Sequence, residues 1–196
     1  MHDLTQSIYD GMEVYPGDPD VCIKQVKSHD KDGFQLSLLS LSNHTGTHID
    51  YPSHIIEDSI CSDSYSLEYC CGKGIIIDLP HEEDKQIASM EKLDIRKNDI
   101  VFFKSKNKQK RVFLSKKTAH ILCEMKIKII GTENSSIDRE IYNDYPLHNM
   151  FLINNILIVE NLYMKKIKCG RCSIFIFPLK ITGIDGSPCR VGVSYE

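Results

Sequence analysis

The sequence predicts a mixed α/β fold in which strands outnumber helices. Eight short runs are rich in β-branched residues, whereas only two segments have the residue spacing of a helix. No stretch rich in Pro, Gly or Ser is long enough to link two separate cores, and no internal repeat is present. Since a chain of 196 residues can bury about 70% of its unfolded surface without the help of disulfides or structural metals, we expect residues 1–196 to form a single domain.

The predicted strands are short apolar runs with the composition of half-buried or buried strands. The longest of them, such as 74–78 and 174–177, fall far short of the roughly 18 apolar residues that a membrane helix needs. The predicted strands lie at 21–26, 34–41, 74–79, 99–103, 126–130, 156–159, 173–177 and 190–193.

The two predicted helices lie at 86–93 and 114–125. In the longer one Ser115 is a candidate N-cap, because its hydroxyl can accept a hydrogen bond from the first turn. Apolar residues then recur at helical spacing, at Ala119, Leu122 and Met125. The sequence therefore favours a sheet with few helices packed on it.

The charge balance argues against a nucleic-acid or membrane-surface partner. The chain has 24 Lys and Arg against 27 Asp and Glu, a net charge of −3. The basic run 103–111 contains no interleaved aromatic residue that could stack on bases, so we interpret it as a solvated loop or hairpin. Because the N-terminal residues lack the basic start and apolar core of a secretion signal, we expect a soluble, cytoplasmic protein with a small-molecule substrate.

The unusual counts are eight His and eight Cys with no Trp. In a reducing cytosol the cysteines are expected to be free thiols. Cys169 and Cys172 form a lone CxxC motif, with neither a second such motif nor a His pair beside it. We therefore interpret it as an ordinary turn rather than a structural zinc site or a redox centre.

Three of the eight histidines fall in one window, 43–54. His44, His48, Asp50 and His54 are separated by even numbers of residues, so in an extended chain their side chains would leave on the same side. Imidazole nitrogens and a carboxylate suit zinc, manganese or iron. The window therefore predicts a metal site.

Two residues in the same window argue against a continuous strand. Gly46 permits an unusual backbone conformation or a close approach, and Pro52 ends regular strand pairing. We expect a strand that breaks into a shaped loop at the site.

A second grouping lies further along the chain. Glu160 directly follows the predicted strand 156–159, and His148 precedes that strand. A carboxylate at the end of a buried strand is costly unless it is paired or binds a metal. From the residues alone, His148 and Glu160 are either metal ligands or satisfied polar residues.

The window 44–54, His-Thr-Gly-Thr-His-Ile-Asp-Tyr-Pro-Ser-His, matches the signature HxGTHxDxPxH. This resembles the cyclase family of metal-dependent hydrolases, whose best-known members are bacterial kynurenine formamidases. Three further segments are similar to the family's opening, second metal-binding and closing segments, in the same order: 3–18, 148–162 and 183–190. The resemblance implies a swivelling β/β/α domain that forms a homodimer or homotetramer.

Roles for individual residues follow from the resemblance. It implies two divalent metals per subunit, with zinc favoured and manganese or iron as alternatives. One metal would be bound by His44, His48 and Asp50, and His54 would be the acid/base residue. Asp50 would also bridge to the second metal, which His148 and Glu160 complete.

The expected reaction is hydrolysis of the C–N bond of a small aromatic amide. N-formylkynurenine, a substrate of tryptophan catabolism, is the first candidate, and isatin-type cyclic amides are the next. A ring-forming enzyme of secondary metabolism and a silent metal-binding member of the fold remain alternatives.

The pocket departs from the formamidase pattern. Relatives often have Trp before the Pro-Gly-Asp of the opening segment, where this chain has Tyr15, the expected substrate contact. Tyr51 stands where a small residue is common, and Glu133-Asn134 replaces a frequent Asp-Trp pair. The ligand pattern therefore predicts the chemistry better than the substrate.

Overall fold

The computed structural model describes residues 1–107, 110–139 and 144–195. None of the helices within these ranges has the length and apolar character needed to cross a membrane. Two single turns of 3-10 helix lie at Pro52–His54 and Ser62–Ser64. In chain order the other elements are β1 (His2–Asp3), β2 (Cys22–Lys27), α1 (His29–Asp32), β3 (Leu36–Ser40), β4 (His48–Asp50), β5 (Cys71–Leu79), α2 (Glu83–Met90), β6 (Ile100–Ser105), α3 (Lys116–Glu124), β7 (Ile129–Thr132), α4 (Pro146–Ile153), β8 (Leu157–Glu160), β9 (Gly170–Pro178) and β10 (Gly186–Ser194).

Seven strands close into a barrel. Their order is β10-β4-β8-β7-β6-β5-β9, and pairing of β9 with β10 completes the circle. The four strands β5 to β8 are parallel neighbours, whereas β4, β9 and β10 pair antiparallel. Strand β1 pairs antiparallel with Gly192 and Val193, near the end of β10. The predicted mixed, β-rich α/β fold is confirmed.

The barrel wall separates two apolar clusters. Ile76 and Phe102 belong to an inner cluster to which all seven barrel strands contribute. Their neighbours Ile77 and Phe103 belong to an outer cluster, which also contains Leu122 of α3 and residues of α4. Since side chains alternate across a strand, a wall with apolar clusters on both sides requires nearly continuous apolar runs. This explains why β5 and β6 stand out in the sequence.

The predicted elements match the structure to within a few residues, with identifiable exceptions. The strands β1 and β4 and the one-turn helix α1 are too short to show periodicity, and the sequence pattern does not predict α4. Its N-terminal residue Pro146 suits a first helical position, but its apolar content obscures any single buried face. The predicted helix 86–93 begins earlier, at Glu83, and Ser115 caps α3 as expected, accepting a hydrogen bond from the Thr118 amide.

One of the two loop predictions needs correction, and the other is narrowed to one of its alternatives. The lone CxxC motif is not a simple turn, because strand β9 begins at Gly170, inside it; Cys169 is exposed and Cys172 is buried. The basic run begins in the last residues of β6, and the hairpin alternative is excluded because β6 and the next strand, β7, are parallel. Lys108 and Gln109 of that run lie outside the described residues.

Strands β2 and β3 form a separate two-stranded sheet outside the barrel. Every residue of β3 is exposed, and the side chains of Leu38 and Leu39 are about equally exposed, at 61% and 60%. Because successive residues of a strand face opposite sides, this hairpin presents leucine on both of its faces.

Replacing Gly74 with alanine is expected to destabilise the barrel by about 1–3 kcal/mol, as overpacking of a close-packed core does. A Cβ at Gly74 would lie 2.1 Å from the carbonyl oxygen of Ile100 and 2.8 Å from Cδ1 of Ile174. Urea unfolding measures the change. Gly192→Ala is the matched control, since its Cβ would meet the flexible Met1 side chain at 3.3 Å and the backbone oxygen of His2 at an ordinary contact distance of 3.7 Å. Equal stabilities for the two variants would contradict this packing argument.

Candidate metal centre and active site

Strand β4 positions the central residues of the site. Its middle residue Ile49 packs inside the barrel, so His48 and Asp50 point outward. On one side β4 pairs with β8, which places His48 opposite Glu160. Outside the wall, α4 contributes His148. All four polar residues are buried, none with more than 4% of its surface exposed.

Asp50 lies between two groups of potential ligands. Its Oδ1 atom is 2.8 Å from Nδ1 of His44 and 3.4 Å from Nε2 of His48. Its Oδ2 atom is 3.9 Å from Nε2 of His148, which in turn lies 3.3 Å from Oε1 of Glu160. Each group has ligand atoms within 4.8 Å of one another. The structure thus brings together all five residues predicted as ligands, with Asp50 shared.

Two of the histidines are oriented by their Nδ1 atoms. Nδ1 of His48 donates to the carbonyl of Gly46 over 2.8 Å, and Nδ1 of His148 is 2.8 Å from Oδ2 of Asp138. Gly46 has a left-handed φ of 65°. The part of the window before β4 is therefore a turn rather than an extended strand. Because a hydrogen bond at Nδ1 fixes the tautomer, Nε2 carries the lone pair that can bind a metal. Both Nε2 atoms face the carboxylates.

Asp138 also holds the start of α4. Its carboxylate accepts hydrogen bonds from the backbone amides of Leu147 and His148 at 2.9 and 3.0 Å. A carboxylate at the N-terminus of a helix accepts hydrogen bonds from amides that have no partner within the helix. Its negative charge also interacts favourably with the positive end of the helix dipole. The same side chain therefore fixes both the helix and the imidazole of His148.

The residues present fit a divalent cation. Among the described residues, Oδ2 of Asp50 is buried and has no hydrogen-bond partner. A buried carboxylate oxygen without a partner is costly, whereas two carboxylates and several imidazole nitrogens are a suitable ligand set for zinc, manganese or iron.

A third group lies at the mouth of the centre. Oδ2 of Asp185 is 3.0 Å from Nε2 of His44 and 2.9 Å from Nδ1 of His54. His54 comes from the 3-10 turn after β4 and its ring stacks at a tilt on His44, with centroids 4.2 Å apart. These three residues also have ligand spacing.

Close packing at Gly186 holds His44 in place. Gly186 begins β10, paired with Asp50 of β4. A Cβ at this position would lie 2.4 Å from Cε1 of the His44 ring. Only glycine therefore leaves room for the imidazole against this strand.

The neighbouring carboxylates raise the pKa values of two of the histidines. Burial opposes the protonated form of His44, but hydrogen bonds and charges of Asp50 and Asp185 outweigh it and raise its pKa to about 9. Burial likewise disfavours charged His148, yet Asp138 and Glu160 raise its pKa to about 10. Burial opposes ionisation of Asp50, but the charge of His48 and the hydrogen bond of His44 hold its pKa well below the usual range.

These shifts predict how the metal-free protein responds to pH. A histidine pKa raised in the folded state stabilises the fold fully below its ordinary value of 6.5, and the contribution is lost as pH rises through about 9 to 10. The chelated protein is therefore expected to melt at progressively lower temperature as pH rises through this range.

A divalent cation should reverse that trend, because it requires neutral imidazole and displaces protons. The increase in Tm on adding zinc is expected to grow with pH. Thermal unfolding with EDTA and with zinc, at matched pH values, measures both effects. In EDTA, His148→Gln should weaken the dependence of Tm on pH. An increase of Tm with pH in the chelated wild type would contradict the raised pKa values of His44 and His148.

A cavity of about 1120 Å³ opens onto the centre. Its wall includes His54 and the predicted substrate contact Tyr15, together with Glu133, Lys104 near the end of β6 and Arg111 of the basic run. The loop interpreted from sequence as merely solvated therefore borders the site.

Sequence reasoning did not assign a role to Asp138 or Asp185. Asp138 ends the polar segment 131–138, and Asp185 lies in the closing segment that resembles the family's. Their signal was weak because a lone aspartate carries no spacing pattern. Only the tertiary structure shows that each contacts a histidine of the centre.

The chain is similar to the proteins of one known family. The Cyclase family model, described as "Putative cyclase", matches residues 2–139, well over half of the chain. The chain belongs to the cyclase family. The resemblance inferred from the window 44–54 is thereby confirmed, and His148 and Glu160 lie beyond the matched region of this cyclase-family chain.

Full-length relatives of the cyclase-family chain are hydrolases. The kynurenine formamidase of Salinibacter ruber is 28% identical over 202 residues, covering 96% of this chain and 94% of that protein. The kynurenine formamidase of Bacillus anthracis is 25% identical over 196 residues, with the same coverage of 96% and 94%.

Solved structures agree on the fold. A potential metal-dependent hydrolase with cyclase activity is 30% identical, with a TM-score of 0.81 over 98% of this chain and 96% of that one. Isatin hydrolase A from Labrenzia aggregata, at 23% identity, has a TM-score of 0.82 over 97% of this chain and 91% of that one. At that identity the second similarity concerns the fold alone.

Proposed function

We propose that the protein is a metal-dependent hydrolase that cleaves the C–N bond of a small aromatic amide. The observation that carries this proposal is the position of Asp50, which belongs to two groups of potential ligands and directs one oxygen at each, with His54 at the mouth of the same centre. A shared carboxylate is suited to hold two cations close together.

Five side chains would hold the metals. His44, His48 and Asp50 form one ligand group, and Asp50, His148 and Glu160 form the other. When bound, divalent metals would lower the pKa of a water molecule towards neutrality and polarise the carbonyl of the amide. Zinc is the first candidate, because all of these ligands are imidazole or carboxylate.

Proton transfer to the leaving nitrogen is assigned to His54. An amide nitrogen leaves readily only when it is protonated, and a histidine can accept and return a proton near neutral pH. His54 lines the cavity, and 29% of its side chain is exposed. It is therefore more accessible to a substrate than His48 and His148, which also line the cavity but are buried.

An aryl formamide is the proposed substrate class, with N-formylkynurenine as its first member. The formamidases of Salinibacter ruber and Bacillus anthracis, which align with almost the whole chain, support this choice. An aniline nitrogen also leaves more easily than an alkyl amine, since it holds the departing electron pair better. Tyr15 in the cavity wall is the proposed aromatic contact.

A direct assay tests the proposal. The purified protein is stripped with a chelator, reloaded separately with zinc, manganese and iron, and offered N-formylkynurenine, formanilide and isatin. We expect metal-dependent release of formate from the two formamides. Hydrolysis of isatin alone would overturn the substrate class, and failure to hydrolyse any of the three with any metal would favour a silent metal-binding protein.

We also propose that the protein acts in the cytoplasm as a homodimer or homotetramer. Support comes from the hairpin of β2 and β3, whose Leu38 and Leu39 would otherwise remain in water. Light scattering after size exclusion measures the mass. Leu38→Ser combined with Leu39→Ser is expected to give monomers, and a monomeric wild type would overturn the proposal.

A further inference from the structure

Asp185 occupies a fixed position between two histidines with different proposed roles. Its backbone carbonyl accepts a hydrogen bond from the Tyr51 amide at 2.9 Å, just before β10 begins. Its Oδ1 atom accepts from the side-chain amide of Asn43 at 2.6 Å. With the backbone and one oxygen held, Oδ2 is directed at His44 and His54.

We propose that Asp185 is the positioning residue for His54, an inference that rests on the proposed function. At 2.9 Å, the carboxylate accepts the proton of Nδ1 and selects the tautomer in which Nε2 is free to exchange a proton with the substrate. The second effect is geometric, because the ring can no longer rotate away from the cavity. Asp185 itself touches neither the substrate nor the reacting atoms.

The contact with His44 defines the competing role. The same Oδ2 lies 3.0 Å from Nε2 of His44, so Asp185 could instead orient a metal ligand. His44, however, has a second carboxylate partner in Asp50, 2.8 Å from its Nδ1. His54 has no second carboxylate partner among the described contacts. Loss of Asp185 should therefore affect His54 more than it affects metal binding.

Two substrates separate these roles. The nitrogen of formanilide must be protonated as it leaves, whereas 4-nitrophenyl formate releases a stable phenolate that needs no proton. Loss of a residue that positions the proton donor should therefore slow hydrolysis of the amide but not hydrolysis of the ester. Loss of a residue that orients a metal ligand should slow hydrolysis of both substrates.

The experiment compares Asp185→Asn, Asp185→Glu, His54→Ala and the double variant in the zinc-loaded protein. Asp185→Asn is expected to lower kcat for formanilide by about 10–100-fold, as is usual when a residue that orients a functional histidine is lost. KM, metal content and turnover of the ester should stay nearly unchanged. Asp185→Glu should recover part of the amide activity, and the double variant should be no slower than His54→Ala, because the two residues act as a unit.

Any of the following kinetic or metal-binding results would overturn the inference: equal losses on amide and ester, a lower metal content in Asp185→Asn, or losses that multiply in the double variant. Nitrogen NMR of labelled His54 gives a readout without turnover, since the Nδ1–H tautomer should dominate in the wild type and lose that dominance in Asp185→Asn. If the wild type hydrolyses neither compound, the proposed function fails. An unchanged His54 tautomer in Asp185→Asn would by itself overturn the positioning role.

Discussion

Asp50→Asn is expected to abolish both metal binding and activity. Asparagine has nearly the same shape, but it is neutral and offers a single acceptor oxygen, so it cannot serve two groups of ligands. The loss of metal affinity should exceed about 100-fold, the upper end for residues that only orient a ligand. Metal analysis after dialysis, together with formamide hydrolysis, measures the two losses.

Asp3→Asn is the matched control for this experiment. Asp3 is a carboxylate on the short strand β1 and pairs with Arg190 at the surface. Its replacement should leave metal content and turnover unchanged. Full metal occupancy in Asp50→Asn would remove Asp50 from its bridging role, because a bridging ligand cannot be lost without weakening both groups.

The second large effect is expected at His54. His54→Ala should retain metal, since the two groups centred on Asp50 do not include it. Turnover of an aryl formamide should nevertheless fall by about 10²–10⁴-fold, the usual contribution of a general acid or base. Steady-state kinetics and metal analysis on the same preparation test this combination. His120→Ala, at an exposed position of α3, is the control and should change neither quantity.

Loss of metal in His54→Ala would have a definite structural interpretation. His44, His54 and Asp185 also have ligand spacing. In that case His54 would be a ligand of a cation at the mouth of the centre, and its assignment as the acid/base residue would be wrong.

The strands of the barrel were predictable because their signal is local. Runs such as 74–79 and 99–103 are apolar on both faces, and the structure buries them between two clusters. The two-stranded hairpin was also anticipated as strands at 21–26 and 34–41. Its isolation from the barrel was not, because strand pairing depends on residues distant in sequence.

The site was predictable in part for the same reason. His44, His48 and Asp50 lie within seven residues, so their spacing is visible. The even spacing has a structural meaning only for His48 and Asp50, because Gly46 turns the chain before β4. Asp138 and Asp185 escaped assignment because their partners are set by tertiary contacts.

The location of β4 between β8 and β10 has a consequence for biosynthesis. During translation the window 44–54 is synthesised before both of its neighbouring strands, β8 and β10. Such long-range pairing gives a high contact order and delays folding until those strands are available. We therefore expect the histidines to acquire their final arrangement, and metal to bind, only after synthesis of β10.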